Sequence, residues 1–335
     1  MSDPFSLCSH IISLLSVFIN AYLLFVFFRC PLRRIGSYKY FFPVAAVRDI
    51  LLSVSIILAV PRAVAHDYSF VFIATGPIHD MTGGSVLLLL YLLIFESSLL
   101  LVTDSFLCRY LQVCRTQLHG SYFTKRNVVL VVAANLLLLV IWMLAIYIVF
   151  WPSTQFIESQ SAVVTLITGI NSSECGQLGF SFKLKVSAVD LSLLLAANVY
   201  MLIIALIIVY AALKINTFLR EGTISSNLRK LHRQIFTMLM LQAACPFLFL
   251  HMPNFAVYIY VFAGWSTPSE VSFMLTILVT MFPLSNPIII IAFLSEYRKY
   301  TLSTLKFNQK TVKDGSVFVT EVKRVTTVRG AVEME

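Results

Sequence analysis

The sequence predicts an all-α membrane protein, a bundle of seven transmembrane helices. Hydrophobic residues make up 59% of its 335 residues and charged residues only 12%, and the mean hydropathy is +0.86. A soluble domain of this length does not need so much apolar surface. The apolar residues fall into seven runs, and the segments between the runs alternate between rich and poor in Lys and Arg. These observations exclude a soluble globular fold.

Each apolar run is long enough to cross a bilayer as one helix. About 20 residues, rising about 1.5 Å each, span the roughly 30 Å of hydrocarbon. Backbone polar groups find no water in lipid, so each run must be helical. The predicted spans are residues 9–28, 40–60, 84–107, 128–151, 188–212, 234–262 and 272–294.

The positions of Lys and Arg predict the orientation. Of the 25 basic residues, all but Arg48, Arg62, Lys183 and Lys185 follow the first, third, fifth or seventh run. Because cytoplasmic loops carry the excess of Lys and Arg, we expect the N-terminus outside and residues 301–335 as a flexible cytoplasmic tail. The net charge of +9 then reflects loops that face anionic lipid, not a nucleic-acid surface.

The predicted outer loop of residues 152–187 contains an N-x-S sequon, and we expect N-glycosylation at Asn171. Of the six cysteines, Cys8 and Cys175 face the oxidising side, where a disulfide between them is one option. The sequence contains no metal-binding cysteine spacing, no phosphate-binding glycine loop and no nucleophile with an evident base. We therefore expect no metal, no cofactor and no enzymatic activity.

Arg109 and Tyr110 end the third run on the predicted cytoplasmic side. This position is similar to that of the arginine with which rhodopsin-like receptors meet a G protein. The alternative is an ordinary arginine that extends to the lipid headgroups. A second basic group, Arg229, Lys230 and Arg233, precedes the sixth run on the same side and is a candidate part of the same coupling surface.

Prolines interrupt the sixth and seventh runs. Pro246 in the sixth and the pair Asn286-Pro287 in the seventh are candidate activation hinges, because a proline inside a helix frees a backbone carbonyl and permits a bend. The segment after the seventh run, from Ser295 to Leu305, alternates apolar and basic residues and predicts a short amphipathic helix on the membrane surface.

Several short motifs, taken in order, resemble a known family. They are Phe106-x-x-Arg109-Tyr110, the segment from Leu231 through Gln242 to Pro246, and Pro283-x-x-Asn286-Pro287 followed by Tyr297. Over about residues 10–300 the chain is similar to nematode serpentine seven-transmembrane chemoreceptors of the Str-type superfamily, with the Srd group closest in pattern. The resemblance implies a receptor domain over residues 1–300 with the rhodopsin-like architecture of G-protein-coupled receptors.

The resemblance also implies a function. The chain would bind a small odorant-like molecule among its third, fifth, sixth and seventh helices and activate a heterotrimeric G protein. Its place would be the plasma membrane of a sensory neuron cilium. Two positions depart from the family pattern. Ile78 stands where the family has a cysteine that pairs with the second outer loop, and Cys108 stands where rhodopsin-like receptors have an acid before the arginine, which leaves Arg109 without an identified partner.

Polar residues inside the spans predict a second functional region. Asn20, Asp49, Ser98 and Asn286 fall at similar depth in four runs, and we expect a polar core that is either an ion-linked switch, sometimes sodium-binding in rhodopsin-like receptors, or a purely structural cluster. Arg48 precedes Asp49, but adjacent helical residues point about 100° apart, so we expect the two not to neutralise each other.

Glu96 lies in the outer half of the third run, where it is a candidate ligand-pocket residue for a cationic or hydrogen-bonding odorant. Pairing with Arg48 or His251 is the alternative. A small-solute transporter or channel is the rival function for the whole chain. Transporters often carry internal repeats and paired broken helices; here the two halves show no convincing repeat, and the breaks cluster in the sixth and seventh runs.

Overall fold

The computed structural model of the chain describes residues 4–30, 32–169, 171–184, 187–221 and 226–313. Within these ranges, seven helices are long and apolar enough to cross a membrane. We number them as spans in chain order: Ser6–Arg29, Ile35–Ala59, Met81–Cys114, Lys125–Phe150, Ala188–Arg220, Arg229–Ala263 and Ser269–Phe293. The predicted seven-helix fold is confirmed, and each predicted run lies inside its helix or extends past one end of it by a single residue.

The third span is the central helix of the bundle. Of the 18 consecutive residues that are most apolar in this helix, 56% are buried. The corresponding share is zero in the fourth span and 6% in the fifth. The fourth and fifth spans therefore expose long apolar faces such as Leu137, Leu195 and Leu206. Such all-round hydrophobic helices are stable where lipid covers them.

The sixth span is interrupted at its centre. An α-helix, Ser226–Pro246, passes into a π-helical turn, Phe247–His251, and then into a second α-helix, Met252–Ala263. Pro246 and Pro253 flank the turn, and neither has an N–H to donate to the helix. The regular hydrogen-bond ladder cannot continue through this segment, so the π turn takes its place.

Three short antiparallel strands cover one end of the bundle. Strand β1 (Pro61–His66) and β2 (Ser69–Ala74) follow the second span, and β3 (Gln177–Ser181) precedes the fifth; their order in the sheet is β1-β2-β3. A loop helix, Thr154–Thr168, packs Phe156 and Val164 against the sheet. The sequence analysis did not predict this sheet. We call this end of the bundle the sheet end and the opposite end, which carries Arg109, the basic end.

The core consists of two large apolar clusters with polar residues between them. The cluster at the sheet end contains Phe72, Phe95 and Phe282, and the cluster at the basic end contains Phe106 and Ile290. On the seventh span, the buried Asn286 lies between the two. The arrangement places the polar residues midway along the bundle.

A terminal helix, Ser295–Lys313, follows the seventh span after a break at Leu294. Its first turn anchors it to the bundle, because the Tyr297 ring is fully buried in the basic-end cluster. Tyr22 Oη of the first span also donates to Thr301 Oγ1 at 3.1 Å. The predicted amphipathic helix thus has a counterpart, while residues 314–335 of the predicted tail lie outside the described residues.

Candidate functional site

A cavity of about 480 Å³ lies at the sheet end, within the range of roughly 300–1,000 Å³ typical of small-molecule sites. Its wall comes from the third, fourth, fifth and sixth spans and from strands β2 and β3. The lining residues are Phe70, Phe72, Leu92, Phe95, Trp142, Ile146, Phe150, Leu178, Leu194, Ala197, Asn198, Met201, Phe247, His251, Met252, Asn254, Phe255 and Tyr258. The fourth span contributes to it, and the seventh, which we expected there, does not.

Glu96 lies beside this cavity and is not one of its lining residues. The side chain is fully buried, and it faces Tyr200 of the fifth span. The carboxylate and the Tyr200 hydroxyl are close enough to interact, but neither carboxylate oxygen has a partner in hydrogen-bond geometry among the described residues. The two alternative partners are engaged elsewhere: Arg48 with Asp49, and the His251 ring against Phe95.

A buried ion pair occupies the middle of the bundle. The Arg48 guanidinium donates to Asp49 Oδ1 from Nε at 3.0 Å and from Nη2 at 2.6 Å, and both side chains are almost fully buried. The expectation that these neighbours would not neutralise each other is therefore wrong. The Cα–Cβ bonds do diverge, but the long arginine side chain folds back onto the next residue.

The other oxygen of Asp49 ties three spans together. Asn286 Nδ2 of the seventh span donates to Asp49 Oδ2 at 2.7 Å, and Gln242 Nε2 of the sixth donates to Asn286 Oδ1 at 2.7 Å. Both carboxylate oxygens of Asp49 are thus engaged within the protein, one of them by a guanidinium. In this structure the Arg48 guanidinium neutralises the Asp49 carboxylate.

Asn20 of the first span supplies a hydrogen bond that the seventh span lacks at its prolines. Pro287 has no N–H, so the carbonyl of Pro283, four residues earlier, lacks its helical donor. Asn20 Nδ2 donates to that carbonyl oxygen at 2.9 Å. Ser98, in contrast, donates to Phe95 O of its own helix. Of the four predicted polar-core residues, hydrogen bonds link Asp49 and Asn286 directly, Asn20 joins them through the seventh span, and Ser98 remains separate.

Arg109 is the largest fully buried side chain and joins two spans at the basic end. Its Nη1 donates to Gln112 Oε1 at 2.6 Å, its Nη2 bonds His232 Nδ1 of the sixth span at 2.7 Å, and its guanidinium lies 5.7 Å from the Tyr38 ring centroid. A guanidinium has only donors, so Nδ1 of His232 is the acceptor and is unprotonated. In this structure Arg109 is held inside the protein and does not extend to the headgroups.

The other predicted coupling residues surround this contact. Arg229, Lys230 and Arg233, on either side of His232 in the sequence, are exposed. Tyr110 is half-buried, with its ring centroid 6.1 Å from that of Tyr210 on the fifth span. The basic end therefore presents exposed positive charge around a buried arginine.

Sequence reasoning missed the partners that complete these sites. It looked for an acid to restrain Arg109 and so passed over the amide of Gln112 and the imidazole of His232. Gln242 entered only as part of a motif. An amide or imidazole at helical spacing from a buried charge is the signal that could have found them.

Hydrogen bonds and close backbone packing attach the loop between the fourth and fifth spans to the third span, where the resemblance implied a disulfide. Ser85 Oγ accepts from Gln177 N at 3.1 Å, and Gly176 packs directly on Gly84 with no room for a Cβ between them. Cys8 and Cys175 are both free thiols, so the disulfide left open by the sequence is absent from the structure. Burial raises the pKa of the Cys175 thiol to about 11. Asn171, in the same loop, is exposed.

The comparisons with known proteins agree with this geometry. The family model described as serpentine type 7TM GPCR chemoreceptor Str matches residues 5–302 of the chain. The chain belongs to this family. One curated relative, the G-protein coupled receptor str-33 of Caenorhabditis elegans, is 23% identical over 297 residues, which cover 83% of this chain and 84% of the relative. The predicted Str-type resemblance is confirmed, and this Str chemoreceptor is a multi-pass membrane protein.

Proposed function

We propose that this Str chemoreceptor binds a small chemical ligand in the sheet-end cavity and activates a heterotrimeric G protein at its basic end. The observation that carries the proposal is the third span, which reaches both sites. Phe95 lines the cavity, and Arg109 lies roughly 21 Å further along the same helix. A ligand that shifts the third span against the sixth acts on both ends at once.

The contact between Arg109 and His232 holds the bundle in its inactive state. It joins the third and sixth spans at the surface where the G protein binds. When the sixth span moves outward, the contact breaks and frees Arg109 for the Gα subunit, and Tyr110, Arg229, Lys230 and Arg233 complete the surface. A ligand drives this change only to the extent that it binds the active arrangement more tightly.

The π turn of the sixth span and the prolines of the seventh allow this movement. The π turn behind Pro246 gives the sixth span a pivot directly beside the cavity. Gln242, Asn286 and Asp49 form the hydrogen-bonded chain along which a shift of the sixth span reaches the seventh and second. The polar core is in this account a relay between helices.

The receptor lies in the plasma membrane with the sheet end outside. The basic loops then face the cytoplasm, as the excess of Lys and Arg requires. Asn171 is exposed at the sheet end and carries the N-glycan. An odorant ligand and the cilium of a sensory neuron fit the family to which the chain belongs.

Epitope tags test the orientation. A tag before Met1 is expected to bind antibody on intact cells, and a tag after Glu335 only on permeabilised cells. Asn171→Gln is expected to remove an enzyme-sensitive mass shift. Reversed accessibility of the two tags would overturn both the orientation and the G-protein surface assigned to Arg109.

A cell reporter tests the coupling. Cells that express the receptor and a broadly coupling Gα subunit are screened with small organic molecules, and the active compounds are retested on Arg109→Ala at matched surface expression. We expect the response to these compounds to be abolished in Arg109→Ala, because the buried guanidinium is the group released to the G protein. An undiminished response of Arg109→Ala would refute this role.

A further inference from the structure

We propose that the sheet-end cavity takes an uncharged, largely apolar molecule with one hydrogen-bonding group, and that this ligand enters from the bilayer beside the sixth span. This inference rests on the proposed function, which assigns the ligand to this cavity. It narrows the ligand to a chemical class and names the residues that select it.

The residues that line the cavity indicate that the ligand is uncharged. None of the lining residues is Asp, Glu, Lys or Arg, and most are aromatic or aliphatic. An ion transferred into such surroundings without a partner pays a large desolvation penalty. Glu96 is the nearest acid along the third span, but it faces Tyr200 and is closed off from the cavity surface. An ammonium or carboxylate ligand has no counter-charge here.

The hydrogen-bonding group follows from two side chains of the sixth span. His251 and Asn254 line the cavity three residues apart, on the same face of the helix. The His251 ring stacks edge-on against Phe95, with centroids 5.8 Å apart. No residue in the described ranges forms a hydrogen bond with the imidazole or with the side-chain amide of Asn254. A carbonyl or hydroxyl of the ligand can satisfy them, and it then binds the span that carries the pivot.

The exposure of the residues around the cavity indicates the path by which the ligand enters. On the side of the sheet, Phe70, Phe72 and Leu178 are 9% exposed or less and close it from solvent. On the side of the sixth span, Phe247, Met252 and Phe255 line the cavity and are 58%, 48% and 62% exposed. These residues belong to a membrane span, so the part of this surface that lies outside the cavity faces hydrocarbon. An apolar molecule dissolved in the bilayer reaches the cavity there without crossing the sheet.

Thermal stability of the purified receptor in nanodiscs tests the ligand class, because a ligand that binds only the folded state raises Tm. The probes are one set of carbon skeletons, each prepared as hydrocarbon, ketone, alcohol, carboxylate and ammonium. The neutral polar members are expected to raise Tm, and the ionised members to leave it unchanged. Ala197→Trp, which fills the cavity, is expected to abolish the shift.

A double variant tests the two residues that select the ligand. His251→Ala with Asn254→Ala is expected to weaken ketone binding up to about tenfold and to leave the hydrocarbon unaffected. His66→Ala is the matched control, because His66 bonds Ser266 in the outer loops and does not line the cavity.

Met252→Trp at the opening tests the route and is expected to slow association and dissociation of the ketone together.

Three results would each overturn the ligand class. Ionised and neutral probes could shift Tm equally, no neutral probe could shift it at all, or the shift could persist in Ala197→Trp. Unaltered ketone kinetics in Met252→Trp would overturn the route. These outcomes are separate from a failure of the proposed function, in which neutral ligands bind and stabilise the receptor but no G protein responds.

Discussion

At the scale of single residues, two buried arginines of the helix bundle are bonded to neighbouring side chains that the protein itself provides. Arg48 is neutralised by the adjacent Asp49, and Arg109 is held by an amide and an imidazole. Leaving such a group buried without its partner costs several kcal/mol, so removing one member of a pair is more harmful than removing both. The two arrangements differ in consequence: the ion pair is a fixed structural element, while a neutral imidazole is a weaker partner that a conformational change can displace.

The first prediction concerns the ion pair. Arg48→Met leaves the Asp49 carboxylate without its guanidinium, and Asp49→Asn leaves the guanidinium without its carboxylate. Each single change is expected to destabilise the receptor by about 3–5 kcal/mol, and the double variant by much less. Tm of the purified proteins measures this. A double variant as unstable as the sum of the two singles would show that the residues do not act as a pair.

The second prediction concerns Glu96, a buried acid whose oxygens have no hydrogen-bond partner in the described ranges. Glu96→Gln keeps the shape of the side chain and removes the cost of burying a charge, so Tm is expected to stay equal or rise. Because Glu96 does not line the cavity, the preference for neutral over ammonium probes is expected to remain. Loss of a response to ammonium compounds in Glu96→Gln would instead place the carboxylate in the ligand site.

At the scale of elements, the helices followed from the sequence and the sheet did not. Twenty-residue apolar runs have one structural solution in lipid. Pro246 marks the interruption of the sixth span, whereas the seventh span is one continuous helix although it contains two prolines. The hairpin of β1 and β2 turns at Asp67 and Tyr68, which both have positive φ, 49° and 61°. Such a turn normally contains Asn or Gly, so its composition gave no signal. Its six-residue strands also adjoin an apolar span and do not stand out from it.

The third prediction concerns the attachment of the outer loop. A Cβ at Gly176 would lie 2.6 Å from the Gly84 Cα, so Gly176→Ala forces the loop away from the third span. We expect a loss of about 1–3 kcal/mol and a reduced ligand-induced Tm shift. Gly120→Ala is the control, since nothing lies within 4 Å of a Cβ there. Equal stability of the two variants would show that this backbone contact does not hold the loop.

At the scale of the whole molecule, a rigid sheet-covered end and a basic end share one central helix and one interrupted helix. Composition, run length and loop charge were enough to predict the bundle, because they reflect the bilayer and not the details of packing. The sites were predicted only in part. The sequence identified Arg109 and Asp49 as exceptional, but their partners depend on how helices far apart in the chain pack, as His232 and Asn286 do. The cavity likewise is formed by residues of six separate segments, four spans and two strands.

Nucleotide exchange on a G protein tests whether the contact between Arg109 and His232 holds the receptor inactive, and it requires no ligand. Receptors in nanodiscs are mixed with a panel of purified heterotrimers, and GTP uptake by Gα is followed for the unaltered protein, His232→Ala and the double variant Arg109→Ala/His232→Ala. Thr237→Ala, an exposed position of the same helix that bonds only its own backbone, is the control. The account predicts faster exchange with His232→Ala than with the unaltered or control receptor, and a return to the rate of empty nanodiscs in the double variant. Exchange by the double variant as fast as by His232→Ala, or no increase with His232→Ala, would contradict the account.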